Sequence, residues 1–169
     1  GFKDALEEAL EKEGRTVVFK EQNGQGEPNT CVTIVNSFVA EEVDLILGNA
    51  TAALQAAYNA TKTIPVLGTS ITEYGVALDI ENFSGTVGSN VSGTSDLAPL
   101  DEQAQMMIDV LKLTDKSSVG ILYCSAEPNS EYQYNVVSAY LAGKGITVKE
   151  YKFSESTELQ NIVTKASSE

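Results

Sequence analysis

Apolar residues recur along this chain in two rhythms, stripes at helical spacing and short unbroken runs. In GFKDALEEALEKEG, Phe2, Ala5, Leu6, Ala9 and Leu10 share a stripe and Gly14 supplies a stop, which predicts a helix. TVVFKEQ follows as a predicted strand and NGQGEPN as turn material. TCVTIVNSFVAEE predicts a second helix despite its β-branched residues, because Ile34, Val35, Phe38 and Val39 lie on one face. VDLILG is a short buried strand, ATAALQAAYNAT a helix of small residues suited to close packing, and IPVLG another strand. A helical turn is expected at Thr72 to Leu78, a Gly- and Ser-rich loop near Ser84 to Asn90, and a brief strand at VSGTS. Pro99 then opens a long helix, with Asp101 and Glu102 well placed in its first turn. SVGILYC, a helix from about Asn129 to Ala142, ITVKEYKF, and a final helix in SESTELQNIVTKASS complete the pattern.

Alternating strands and helices joined by short connections predict an α/β fold with doubly wound parallel sheets covered by helices. Ligands of such sheets gather at the carboxyl ends of the strands. Four tips therefore carry the interest, around GNAT, GTSITEY, GTSDLAP and CSAEPNSEY, all rich in Ser, Thr, Asn or Gly.

Composition narrows the chemistry. The net charge of −13 argues against a general nucleic-acid or anionic-membrane surface. With no histidine, the usual metal ligand and the commonest general base are missing, and no cofactor or catalytic residue is expected. Cys31 and Cys124 have no metal-ligand spacing and are expected as free, partly buried thiols. Neither GxxxxGK[ST] nor GxGxxG occurs, and no serine at the tips has a His or well-placed Lys beside it. Hydroxyl-rich tips and a helix end suit binding better than catalysis.

Each tip is open to two readings. At Asn49, Ala50, Thr51 and Ala52 a helix start offers amides without intrahelical partners, fit for a carboxylate, or else a plain cap by Asn49 or Thr51. Ser70, Thr72 and Tyr74 offer hydroxyls and a ring that lines an apolar pocket, or an ordinary loop with an exposed Tyr. Ser95 and Asp96 contact a ligand or cap turns. Ser125 and Glu127 face outward from the fourth tip, where Glu127 suits an ammonium group or is simply solvated, and Asn129 or Ser130 caps the helix that follows.

The order GFKDALEEAL, QNGQGEPNT, VDLILGNATAALQAAYNAT, TIPVLGTSIT, NVSGTSDLAPLDEQ and VGILYCSAEPNS resembles the ABC transporter substrate-binding protein family that includes tryptophan- and tyrosine-binding members. The resemblance runs along essentially the whole chain and is most specific at Asp44 to Pro65 and Gly93 to Gln103. It implies a type I periplasmic-binding-protein fold, two α/β lobes closing on a small ligand that passes to a membrane permease. Ala50, Thr51 and Ala52 would meet the ligand carboxylate, with Ser70 and Thr72 from the second tip and Ser95 and Asp96 from the third. Ser125, Glu127, Asn129 and Ser130 would belong to the second lobe. Where relatives commonly carry Asp-Pro this chain has Glu73-Tyr74, a departure that bears on the pocket's shape and preferred side chain.

From this, residues 1–116 are expected to form the first lobe, lacking its first strand, and 117–169 the opening of the second, with a crossover and hinge at LTDKSSV. The chain is expected to be a segment of a longer polypeptide, apparently truncated at both ends. The missing first strand would lie between those carrying VVFK and LILG, leaving main-chain groups unpaired. The function expected is capture of a small organic solute, an amino acid with aromatic ones included, outside the cytoplasm by a periplasmic protein or lipoprotein working with an ABC permease. The alternatives are a ligand-sensing receptor domain and a sugar- or nucleotide-processing enzyme domain.

Overall fold

The computed structural model describes residues 1–169, and its elements follow the hydrophobic pattern closely. Helix α1 (Phe2–Lys12) ends just before Gly14, and α2 (Pro28–Ala40) starts with proline at its first position, where a missing N–H costs nothing. Strand β1 (Ile46–Asn49) leads directly to α3 (Thr51–Ala60), β2 (Val66–Ile71) to α4 (Tyr74–Leu78), and β3 (Val91–Ser95) to α5 (Leu100–Leu111). Strand β4 (Ser118–Cys124), α6 (Pro128–Gly143) and β5 (Thr147–Phe153) follow, and a 3-10 turn at Ser156–Glu158 introduces α7 (Leu159–Ser168).

The strands form two parallel sheets, β1-β2-β3 and β4-β5. Ile46 pairs with Val66 and Val66 with Val91, so the first sheet stacks branched side chains across its centre. Its core joins them to Leu54 and Ala57 of α3, Val35 of α2 and Leu78 of α4. Leu54 is fully buried, a contribution of roughly 1.5–3 kcal/mol. The alanines of α3 favour helix and let its backbone lie close to the sheet and to α2. The second sheet gathers a smaller core of Ala104, Leu141 and Ile146, with Val119, Ile121 and Val137 against it. Helix α5 packs chiefly on α6 and so belongs, by contact, to this second core.

One expected element is corrected. Thr16–Gln22 forms no strand: no strand lies beside it, and a ladder needs a neighbour. Val18 is 84% exposed, and the segment is held by side chains, with Lys20 paired to Glu41, Lys3 to Glu21, and Lys3 over the Phe19 ring. Strand β1 correspondingly has one neighbour, β2. Strand β2 also runs further than expected, since Thr69 to Ile71 continue it beyond IPVLG. Cys31 is buried and Cys124 half-buried, both as free thiols. No helix is long and apolar enough to cross a membrane.

Candidate functional site

The tips of the first sheet form one hydrogen-bonded edge. The Ala50 N–H donates to the Thr69 carbonyl at 2.9 Å, the Asp96 N–H to Ile71 at 2.9 Å, and the Ser95 hydroxyl to the Thr72 carbonyl at 2.7 Å. Between these ties β2 carries one residue more than β3, because Gly68 pairs with Gly93 but Ile71 pairs with Ser95. The extra residue makes a bulge, and within it Ser70 takes a left-handed backbone, φ 56°.

Helix α3 begins at this edge without a side-chain cap. Its N-cap residue is Ala50, with φ 77° and ψ 162°, a region that glycine alone enters freely. The Ala50 carbonyl accepts from Leu54 at 3.1 Å, while the amides of Thr51, Ala52 and Ala53 have no backbone or side-chain acceptor. A carboxylate there would gain about 1.5–3 kcal/mol from each such bond, against roughly 0.3–1 from the helix dipole. The direct bonds dominate. Of the two readings of this tip, the plain cap by Asn49 or Thr51 is excluded. The free donors run from Thr51 to Ala53 rather than starting at Ala50, whose own N–H is spent on Thr69.

Tyr74 is not a pocket lining but a buried side chain, 6% exposed, in the first core. Its hydroxyl donates to the Gly68 carbonyl at 3.0 Å, and burial pushes its pKa above the usual tyrosine value. Glu73 serves as N-cap of α4, its carboxylate accepting the Val76 N–H at 2.6 Å. Ser95 both ties β3 to Thr72 and accepts the Leu97 N–H at 3.3 Å, so its hydroxyl closes a turn. Thr72 is engaged through its carbonyl. Ser70 and the Asp96 carboxylate, both exposed, carry no side-chain bond.

At the second sheet the polar groups face home. Both the N–H and the hydroxyl of Ser125 donate to the Phe153 carbonyl, at 2.8 and 3.2 Å, so this residue does not project outward. Helix α6 starts one residue earlier than expected, at Pro128, with Glu127 as N-cap and no side-chain cap from Asn129 or Ser130. The Ser130 hydroxyl instead donates to the Glu127 carboxylate at 3.3 Å, and Asn129 is joined through its carbonyl to the Gln133 side chain. Glu127 itself is exposed. Beside it a depression of about 830 Å3, lined from α5, β4, α6 and the end of β5, brings Glu127 and Ser130 together with Gln103, Leu100, Tyr123 and Tyr134. The two tyrosine rings stack at 4.6 Å. The α3 start, Ser70 and Asp96 lie outside that depression.

Two groups of predicted residues thus emerge, one at each sheet. Helix α4, which follows β2, packs against α6, which follows β4. Sequence reasoning missed the Ala53 amide, although any uncapped helix start leaves its first amides free. It also missed Gln103. For Tyr74 a signal was present in the repeated Gly-Thr-Ser at 68–70 and 93–95, two small residues that end in register.

A profile of the family described as ABC transporter substrate binding protein matches residues 1–169. A Tyrosine-binding protein of Clostridioides difficile is 34% identical over 168 residues, covering 97% of this chain and 47% of the relative. The crystal structure of an ABC domain from Streptococcus pneumonia in complex with L-Trp superposes with a TM-score of 0.84 at 30% identity, covering 98% of this chain and 56% of that one. The ligand-free, open structure of a substrate binding protein with adhesive properties from Clostridium difficile gives a TM-score of 0.56, also at 30% identity, covering 96% of this chain and 56% of that one. The chain spans about half the length of the relatives it matches.

Proposed function

The chain belongs to the ABC transporter substrate-binding protein family, and from that premise we propose that it captures an amino acid for import, doing no chemistry on it. The observation that carries this reading is the uncapped start of α3, three free amides beside a strained Ala50, in a fold that superposes on an L-Trp complex. In this reading the amides of Thr51 to Ala53 receive the ligand carboxylate, with Ser70 and Asp96 beside them. Glu127, Asn129 and Ser130 close from the other side, where the Glu127 carboxylate meets the ammonium group. Asn49 and Thr72 through the backbone, and Ser95 and Ser125 through hydroxyls bonded within the protein, support these positions rather than touching the ligand.

The lobe boundary expected at 116/117 is proposed to lie earlier, between β3 and α5, because α5 packs on α6 and would move with the second lobe as the two close. At equal identity the arrangement of elements matches the L-Trp complex better than the open, ligand-free relative, which favours a structure near the closed state. An aromatic ligand is favoured by the tryptophan and tyrosine named for two of the relatives. The proposed partner is a membrane permease and the proposed location extracytoplasmic.

A thermal-shift screen of the full-length protein against the twenty amino acids tests the function. A ligand at a hundred times its Kd adds about 2.7 kcal/mol of stability, and no shift with any amino acid would end the reading. Thr51→Pro tests the pose. Proline suits the first helical position, so α3 survives while one donor is lost, and affinity should fall by about 1.5–3 kcal/mol. Unchanged calorimetric affinity would discard it.

A further inference from the structure

The bulge in β2 must be held in place. Beyond Gly68 the ladder with β3 lapses for two residues, Thr69 and Ser70, before resuming at Ile71. Ser70 sits at φ 56°, a left-handed conformation that costs a non-glycine residue roughly 1 kcal/mol and persists only where surroundings impose it. On the exposed side, the ties are Ala50 to Thr69, Asp96 to Ile71 and Ser95 to Thr72, and of these only the last uses a side chain. From the core, the tie is the Tyr74 hydroxyl on the Gly68 carbonyl, at the last paired residue before the bulge.

The surroundings of that hydroxyl are cut to its shape. A Cβ added at Gly68 or at Gly93 would overlap the Tyr74 oxygen, and at Gly93 it would also overlap the Gly68 carbonyl. Two paired glycines thus leave a slot in the sheet that the phenol fills. The ring itself is fixed from the other end, since Tyr74 opens α4 and Glu73 clamps that helix start at Val76.

We propose that Tyr74 is a positioning residue, whose hydroxyl, wedged between Gly68 and Gly93, fixes the bulge that presents Ser70 and, through Thr69, anchors Ala50 at the ligand site. This rests on the reading of that edge as the amino-acid site. A core filler would need only the ring. A positioning residue needs the oxygen, because the oxygen alone reaches the Gly68 carbonyl.

Tyr74→Phe keeps the ring and removes the oxygen, and Val35→Ala, elsewhere in the same core, supplies a variant whose loss is of stability alone. In the full chain without ligand, amide hydrogen exchange at Ala50 and Asp96 should quicken about tenfold in Tyr74→Phe relative to Leu141 in the second core. Calorimetry with L-tryptophan and L-tyrosine should show Kd rising about tenfold, and the preference for each acid over its carboxamide should shrink. Val35→Ala should lower Tm while leaving that preference intact. Tyr74→Phe behaving like Val35→Ala in both measurements would overturn the inference, as would faster exchange with unaltered affinity or weaker affinity with unaltered exchange. Should the wild type bind neither amino acid, the preference for an aromatic ligand falls separately. In that case faster exchange still supports Tyr74 as the brace of the bulge, and unaltered exchange removes it.

Discussion

The unit around β1–β3 buries twelve residues in one cluster, whereas the unit around β4 and β5 buries three. At the better-packed tip, Ala50 and Ser70 occupy left-handed or glycine-like backbone, and three amides go unpaired. At the lightly packed tip, Ser125 bonds twice to Phe153, Ser130 bonds to Glu127, and neither residue has positive φ. Strain and unmet donors are kept where a large core can over-determine the backbone, and the smaller core satisfies its polar groups locally. The binding asymmetry proposed above follows: a rigid seat for the carboxylate on one side, and adaptable side chains on the other.

The sharpest way to break this contrast is to enlarge a glycine in each unit. Gly93→Ala drives a methyl group into the Gly68 carbonyl and the Tyr74 hydroxyl, and should cost about 3 kcal/mol in urea denaturation. Gly143→Ala, at the end of α6 with open space around it, should be neutral or gain about 0.5 kcal/mol. Comparable losses at both sites would mean that the two units are equally tight.

A smaller effect tests the strain itself. Ala50→Gly admits the observed backbone without penalty, so stability should rise by about 1 kcal/mol, strain relief outweighing the added freedom of the unfolded chain. A fall in Tm would show that Ala50 is relaxed.

The smallest effect belongs to the second unit. The Tyr123 hydroxyl donates to Glu150 at 2.6 Å, and this bond, with lesser help from burial and the Glu150 charge, pushes its pKa up to about 12. The folded value lies above that of a free tyrosine, about 10, so the contribution is full below that pH and is lost as pH rises from there toward 12. Late-titrating tyrosinate absorbance should fall by one group in Tyr123→Phe, leaving that of Tyr74 and Tyr151, which are also raised, with a slightly shallower alkaline loss of stability. An unchanged late amplitude after the substitution would assign the shift elsewhere.

How much of this was legible depended on range. Stripes such as Phe2-Leu6-Leu10 and the Ile34-Val35-Phe38-Val39 face act within a few residues, so the helices could be read from the chain, although α2 starts at Pro28, within the segment read as a turn. VVFK has the right composition for a strand, but a strand exists only in a pair, and composition does not say what lies beside it. Ala50 carries no mark of its unusual backbone, since alanine is the residue least expected to announce strain. Tyr74 looked like a loop aromatic because its slot is made by Gly93, distant in sequence and adjacent only through the register of the sheet. Ser125 was on the right tip but spent its hydroxyl on a strand that comes later in the chain.

Gly68, Tyr74 and Gly93 have a hereditary consequence. Gly68 is compulsory only while the phenol stands against it, whereas Gly93 is held also by the Gly68 backbone, so the three positions are inherited as a coupled set with unequal ties. A lineage that first trades the tyrosine for something smaller frees Gly68 to diversify but leaves Gly93 bound by its partner strand. One that begins with either neighbour meets a dead end.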